Sequence, residues 1–372
     1  MTAPRLTRNA HADRASVSKA GIADPAFHPS LPGFASTPLR PAPKAAQRLG
    51  VRSVRVKDES HRLGMPSFKI LGASWATYRT VMAHLGQPVA AQPTLDGLRE
   101  AVAAHGPDLT LVAATDGNHG RAVARMAKLL GLRAIIVVPA GTVVSRIEAI
   151  TGEGAEVRIV SGGYDQAIAA SAALSDDKHV VISDTSWEGY TDTPGWVIDG
   201  YSTMLMEIVE EIEAGHAAEP TVVAAQMGVG AFGAAVTRQF ASRPARLLVG
   251  VEPTRADCII TSAEAGRITT ISEPQDSIMA GLNCGTPSIV AWDDVLHGYD
   301  VFVTVTDDDA RDAMRLLHDD GIEAGESGAA GLAGLLAHAE GMGLGPQDDV
   351  IIFVTEGITD PVAYREIIGT DS

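Results

Sequence analysis

Residues 111–132 read LVAATDGNHGRAVARMAKLLGL. The apolar run 111–114 has the length and composition of a buried strand. Thr115-Asp116-Gly117-Asn118-His119-Gly120 is polar and broken by glycine, so the strand ends there. Residues 121–132 then carry apolar positions at helical spacing, with Arg121, Arg125 and Lys128 between them. A strand, a glycine turn and a helix together form a natural seat for an anion, because the first backbone N–H groups of the helix lack partners. The plain alternative is an ordinary connection in which Asp116 or Asn118 caps the helix and His119 covers the turn. Three polar side chains crowd a turn that needs one cap, and this favours a binding role for Asp116, Asn118 and His119.

The same grammar recurs along the chain. Strand-like runs are read at 51–56, 134–139, 156–160, 180–183, 221–225, 247–251, 301–305 and 350–354. Helical patterns fall at 70–86, 92–105, 145–151, 164–174, 200–214, 307–320 and 326–339. Residues 31–39, LPGFASTPL, are punctuated by proline and read as an extended connection. Regular alternation of strand and helix predicts an α/β fold with mostly parallel sheets. In such sheets chemistry gathers beyond the C-terminal ends of strands. That rule selects the Asp116 turn, Asp184, the glycine loop that opens at Gly228, and Thr355.

One further candidate does not directly follow a strand. Residues 65–73, MPSFKILGA, place Lys69 alone in an uncharged run at the start of a helix. An amine in partly apolar surroundings is pushed toward its neutral form, which attacks carbonyl carbons. Asp184 opens DTSWEGYTDTPGW (184–196), a polar and aromatic stretch suited either to a substrate wall or to a packed surface loop around Trp187 and Trp196. Residues 226–240, QMGVGAFGAAVTRQF, spell G-x-G-x-x-G at Gly228, Gly230 and Gly233. Glu252, at the end of the next strand, lies where a dinucleotide fold wants its ribose-binding acid. The loop alone therefore also fits a nicotinamide-dependent oxidoreductase or a catalytically silent cofactor-binding module. That reading leaves Lys69 and the Asp116 turn without a task.

Composition narrows the classes. The 372 residues carry 46 acidic and 29 basic side chains, a net charge of -17, which argues against nucleic acid and against an anionic membrane surface. No apolar run approaches the roughly 20 residues of a membrane span. Two cysteines, Cys258 and Cys284, with no C-x-x-C pair suggest neither a disulfide framework nor a zinc cluster, and no metal is expected. The first thirty residues lack an apolar h-region and read as a loose tail.

In combination, SFK with Lys69, D-G-N-H-G, G-V-G-A-F-G, V-E-P and a late strand ending in Thr355 resemble the fold-type II pyridoxal-phosphate enzymes. That family includes the threonine and serine dehydratases and tryptophan synthase β, and the motifs stand in the same order over roughly residues 30–365. Within it, residues 114–121 (ATDGNHGR), 184–190 (DTSWEGY) and 281–288 (GLNCGTPS) resemble the diaminopropionate ammonia-lyases.

The resemblance implies a tryptophan synthase β-like fold of two domains with the active site between them. It implies an N-terminal tail over 1–30, a large cofactor-binding domain from 31–105 and 201–372, and a small substrate domain over 106–200. Lys69 would hold pyridoxal 5'-phosphate covalently and then move the substrate's α-proton. Phe68 would lie beside the ring and Asn118 would bind the ring oxygen. Gly228, Val229, Gly230, Ala231 and Gly233 would take the phosphate, and Thr355 would face the pyridine nitrogen. Ser67, Asp116, Gly117, His119 and Asp184 would contact the substrate. A hydroxyl at 355 does not hold the ring nitrogen protonated as a carboxylate would, so the ring is a milder electron sink, suited to elimination. Asp116 stands where the dehydratases usually have serine. Its carboxylate suits a second ammonium and could take an α-proton from the face opposite Lys69. Asp184 would complete an acidic lining. The activity implied is α,β-elimination of 2,3-diaminopropionate to pyruvate and ammonia, with a threonine/serine dehydratase-type reaction as the alternative. A cytoplasmic homodimer with a small amino-acid substrate is the family expectation. Cys258 and Cys284 match segments near the site and are expected as reduced, buried thiols, a mutual disulfide being the lesser alternative. Glu326 would approach the ring or begin the helix that follows.

Overall fold

The computed structural model describes residues 3–19, 21–115, 117–272 and 274–369. Asp116 lies outside the described residues. The eleven strands among them are β1 (Leu6–Arg8), β2 (Leu39–Pro41), β3 (Ser53–Asp58), β4 (Thr110–Ala114), β5 (Arg133–Pro139), β6 (Glu156–Val160), β7 (His179–Val181), β8 (Val222–Gln226), β9 (Leu247–Pro253), β10 (Val301–Val305) and β11 (Asp349–Val354). They form a seven-stranded sheet, β1-β10-β9-β8-β11-β3-β2, and a four-stranded sheet, β6-β5-β4-β7. Only the two edge pairings, β1 on β10 and β2 on β3, are antiparallel. The α/β class with parallel-rich sheets is as expected.

The chain forms two compact units. One comprises the described parts of 1–20, 36–61 and 204–372, and the other those of 21–35 and 62–203. Residues 62–105, expected with the large domain, group instead with 106–203. The helix Lys69–His84 is the reason, because it packs on the helix Asn118–Leu130.

In the first unit β8, β9, β10 and β11 are buried along their whole length, so they read as continuous apolar runs. The helix Glu326–Met342 lies on this sheet and contributes Ala329, Ala330, Leu332, Ala333 and Leu335 to its core. Its small residues let it approach closely. A Cβ on Gly334 would stand 2.6 Å from Val251, and one on Gly328 would stand 2.3 Å from the Glu356 carbonyl. In the second unit β4 is wholly buried, whereas the edge strand β6 is largely open.

The N-terminal tail is a correction. Leu6 pairs with Val303 in the sheet. Arg5 bridges Asp257 at 2.5 Å and Glu264 at 2.8 Å, and the Asn9 amide donates to the Leu296 and Tyr299 carbonyls at 2.6 Å. In the second unit Phe27 is fully buried against Trp75 and Tyr78. A three-residue strand carries no periodicity of its own, and its partner lies almost 300 residues away in the chain.

Glu252 is a second correction. Its side chain is 1% exposed, and its two oxygens accept the N–H groups of Ile259 and Ile260 at 2.8 Å, within the first turn of the helix Cys258–Ala265. The acid is committed to a helix start and is closed to a ribose. Burial pushes its carboxyl up to about 8, against the pull of those two N–H groups. A carboxyl raised in this way contributes stability that is complete below its unfolded value near 4.5 and is lost as pH rises through 8. Glu252→Gln lacks that loss. The Tm advantage of the parent over the variant should therefore shrink by several degrees between pH 5 and 9, as followed by thermal unfolding; a constant difference would contradict the assignment.

Candidate active site

In the second unit the helix Lys69–His84 begins at Lys69 itself, whose N–H is accepted by Ser67 Oγ at 3.3 Å. The helix Asp192–Glu213 passes very close to it. A Cβ on Gly200 would stand 2.5 Å from the Leu71 carbonyl, and one on Gly72 would stand 2.5 Å from the Tyr201 ring. Both glycines are required by this approach. It brings Tyr201 against Phe68, with ring centroids 4.5 Å apart. The Lys69 Nζ lies 5.6 Å from the Phe68 centroid.

Lys69 is not in the apolar setting expected of it. Its Nζ is 2.7 Å from Asp184 Oδ2, and the Asp184 side chain is 5% exposed. Tyr164 donates its hydroxyl to the other carboxylate oxygen at 3.0 Å. Burial opposes ionisation of Asp184, but Lys69, His119 and Tyr164 outweigh it and hold the carboxyl well below the usual carboxylate range. The Tyr201 phenol is raised by burial, with the Lys69 charge pulling the other way.

His119 lies behind Asp184 and is 2% exposed. Its Nε2 is 2.8 Å from the Ile182 carbonyl, which can only accept, so Nε2 carries a proton. Burial lowers the imidazole's pKa, Asp184 opposing, so the ring is neutral at pH 7 with its bare Nδ1 3.8 Å from Asp184 Oδ2. Asn118 is the first residue of the helix Asn118–Leu130, and Gly117 precedes it with its N–H on Thr115 Oγ1 at 2.8 Å.

The stretch after Asp184 is built as a tight brace. Trp187 stacks on Tyr190 at 4.2 Å, and the Tyr190 hydroxyl donates to the Val181 carbonyl and accepts the Ser183 N–H. Trp196 lies under Arg79, 4.7 Å from ring centroid to guanidinium. The helix begins at Asp192, eight residues earlier than the sequence pattern implies. Of the site residues expected in this unit, Phe68, Lys69, His119 and Asp184 come together. Tyr164 and Tyr201 were missed: each opens or lies within a helix where a tyrosine reads as ordinary packing.

In the first unit β8 ends at Gln226, and the glycine loop leads to the helix Ala231–Phe240. Gly230 has φ +94°, in the left-handed region, and no side chain caps that helix. Such a start offers backbone donors to an anion. The loop is backed by the GLNCGTPS segment. A Cβ on Gly228 would stand 2.9 Å from Cys284 Sγ, and Ser288 N–H donates to the Val229 carbonyl at 2.8 Å. Both cysteines are buried free thiols, and burial raises Cys258 well above its ordinary value. Thr355 follows β11 directly, is 4% exposed, and accepts an N–H of Gln226 at 2.7 Å. Glu326 starts its helix and is buried.

Comparison with known proteins gives a consistent picture. A family model described as pyridoxal-phosphate dependent enzyme matches residues 31–356. The diaminopropionate ammonia-lyase of Salmonella typhimurium is 34% identical over 370 residues, covering 92% of this chain and 90% of that protein. Among solved structures, the Escherichia coli diaminopropionate ammonia-lyase in complex with an aminoacrylate-PLP azomethine reaction intermediate superposes with a TM-score of 0.85 at 30% identity, covering 98% and 97% of the two chains. Threonine deaminase isoform 2 from Solanum lycopersicum shares the fold, with a TM-score of 0.76 at 21% identity over 99% and 98%.

Proposed function

Because the chain belongs to the pyridoxal-phosphate dependent enzymes, we propose that it catalyses α,β-elimination of 2,3-diaminopropionate, which with one water gives pyruvate and two ammonia. The observation that carries this reading is the likeness to diaminopropionate ammonia-lyases over nine-tenths of the chain, 92%, together with an ionised Asp184 beside Lys69. The oxidoreductase alternative lapses, since its acid, Glu252, is spent on a helix.

The residues present suit pyridoxal phosphate. The uncapped helix start at Gly230 suits a phosphate, the Lys69 amine suits a carbonyl carbon, and the Thr355 hydroxyl suits a ring nitrogen. When bound, that group supplies a carbonyl for the substrate's α-amine and a conjugated ring that stabilises charge at Cα. Backbone N–H groups of Gly228, Val229, Gly230, Ala231 and Gly233 would hold the phosphate. Asn118 would bind the ring oxygen, Phe68 would lie beside the ring, and Thr355 would meet the nitrogen. Lys69 takes the α-proton on one face, and Asp116 takes it on the other. Ser67 and Gly117 would contact the substrate.

Asp184 remains ionised at neutral pH and so cannot donate a proton. It serves as the counter-ion of the substrate's β-ammonium, which leaves already protonated. His119, neutral and buried behind Asp184, donates its Nε2 hydrogen to the Ile182 carbonyl. The enzyme works in the cytoplasm as a homodimer, a reading supported by the family resemblance. No helix among the described residues is long and apolar enough to cross a membrane.

The reading is tested by the absorption spectrum of the purified protein with and without DL-2,3-diaminopropionate. A yellow protein whose band changes with that substrate while pyruvate accumulates supports it. A yellow protein that ignores diaminopropionate and turns over threonine or serine would reassign the substrate. A colourless protein that pyridoxal phosphate cannot reconstitute would overturn it. Asp116→Asn should lower kcat on the D-enantiomer by roughly 10²–10³-fold and spare the L-enantiomer. Equal loss on both would remove Asp116 from the second face.

A further inference from the structure

We propose that Gln226 is a positioning residue that fixes the direction of the Thr355 hydroxyl, so that Thr355 donates its hydrogen to the cofactor's ring nitrogen and keeps that nitrogen unprotonated. The inference rests on the reading above in one respect, that Thr355 faces the ring nitrogen. Everything else is geometry within one unit.

Gln226 is the last residue of β8, directly before the glycine loop, and is 1% exposed. Its Nε2 lies 3.0 Å from the Phe353 carbonyl and 2.7 Å from Thr355 Oγ1. The O and N of an amide cannot be distinguished by shape, so the network must decide. A carbonyl oxygen can only accept, so the group facing Phe353 must be the NH₂. Both amide hydrogens are then assigned, one to Phe353 and one to Thr355. Thr355 Oγ1 is therefore an acceptor from Gln226, and its own hydrogen points elsewhere.

The opposite orientation would turn Oε1 toward the Phe353 carbonyl, two acceptors 3.0 Å apart. The amide oxygen instead points away and is buried without a hydrogen-bond partner. It lies 3.1 Å from where a Cβ at position 331 would sit, so Gly331 leaves it room. A buried carbonyl left without a donor is destabilising. Hydrogen bonds to Phe353 and Thr355 at the other end hold the amide there nonetheless.

The consequence concerns proton position. A hydroxyl that accepts on one side and must place its hydrogen on the other is biased toward a partner with a free lone pair. An unprotonated pyridine nitrogen is such a partner; a protonated one is not. Gln226 thereby limits how strongly the ring can withdraw electrons. That suits loss of a β-substituent over reprotonation at the cofactor's carbonyl carbon, the step that would lead to transamination.

Gln226→Glu reverses the direction in either charge state. Ionised, Glu accepts the Thr355 hydrogen. Protonated, it gives its single hydrogen to Phe353 and still accepts from Thr355. The Thr355 lone pairs are then free to receive a ring N–H. The test loads Gln226→Glu, Gln226→Met and Thr355→Val with pyridoxal phosphate labelled with ¹⁵N at the ring nitrogen. The ring nitrogen resonance of each is compared with that of the parent, alongside conversion of the cofactor to its amine form per pyruvate released.

For Gln226→Glu the resonance should move toward the protonated position, and amine-form conversion should rise about tenfold, equivalent to 1.4 kcal/mol. Gln226→Met, which keeps the volume and removes both N–H groups, should move both in the same direction by less; it carries the test if the glutamate variant does not fold. If Thr355→Val moves the resonance and both Gln226 variants leave it at the parent position, Gln226 has no positioning role and the reading of Thr355 survives. If no variant moves it, Thr355 does not face the nitrogen and both statements fall.

Discussion

Lys69→Ala should lose turnover of 2,3-diaminopropionate by roughly 10⁴-fold or more in kcat, because on the proposed reading the group that holds the cofactor and the base that moves the α-proton are removed at once. Pyruvate release measures the loss. The yellow band of a lysine-bound carbonyl should be absent while circular dichroism stays close to the parent. The variant has a second signature, in stability. In the parent, Lys69 stands 2.7 Å from Asp184 and helps hold that carboxyl below its unfolded value. A depressed carboxyl contributes stability that is complete above its unfolded value near 3.8 and is lost as pH falls through the folded one, so the parent's loss lies below about pH 4. Without Lys69 the carboxyl loses its strongest stabilising partner and its depression shrinks, so the variant lacks part of the stability that the parent loses only in acid. Against the parent, Lys69→Ala should be destabilised by about 1–3 kcal/mol at neutral pH and by less below about pH 3. A variant with parental activity, or one whose deficit does not shrink in acid, would contradict the pairing.

Asp184→Asn should separate binding of the second ammonium from the rest of the chemistry. If Asp184 is the counter-ion of the β-ammonium, kcat/KM for diaminopropionate should fall roughly 10²–10³-fold. Serine, which carries a neutral hydroxyl at that position, should lose much less. The ratio of the two kcat/KM values is the informative quantity, since any effect of the substitution on Lys69 enters both and cancels. Equal losses on both substrates would make Asp184 a partner of Lys69 alone. Tyr164, on the other carboxylate oxygen, orients the group.

The fold was legible because the buried parallel strands are predominantly apolar runs set between helical patterns. Runs 156–160 and 301–305 match β6 and β10 to the residue. The two edge strands β1 and β2 were not legible. Three residues of mixed character, LTR or LRP, give no periodicity, and their pairing is decided by strands far away in the chain. Lys69 and Asp184 could be named as candidates because each stands where local sequence has no structural use for a charge. Their contact could not be read, since it depends on the crossing at Gly72 and Gly200. Tyr201 entered through that crossing as well. Glu252 misled for the opposite reason: spacing after a glycine loop suits a ribose ligand and a buried helix cap equally well, and only the placement of Ile259 and Ile260 distinguishes them. Gln226 gave no signal, because a single glutamine at a strand end is compositionally unremarkable.

The N-terminal strand β1 has a bearing on handling and turnover of the protein. It is the outermost member of the large sheet, and its neighbour β10 is a wholly buried apolar strand, VFVTV. Residues 6–8 thus act as a guard rail. A protease cut within the first dozen residues would bare the backbone of β10 as a ready template for another chain. Damage to the least conspicuous segment of the sequence would then be registered as clumping, long before any residue that touches substrate had been disturbed.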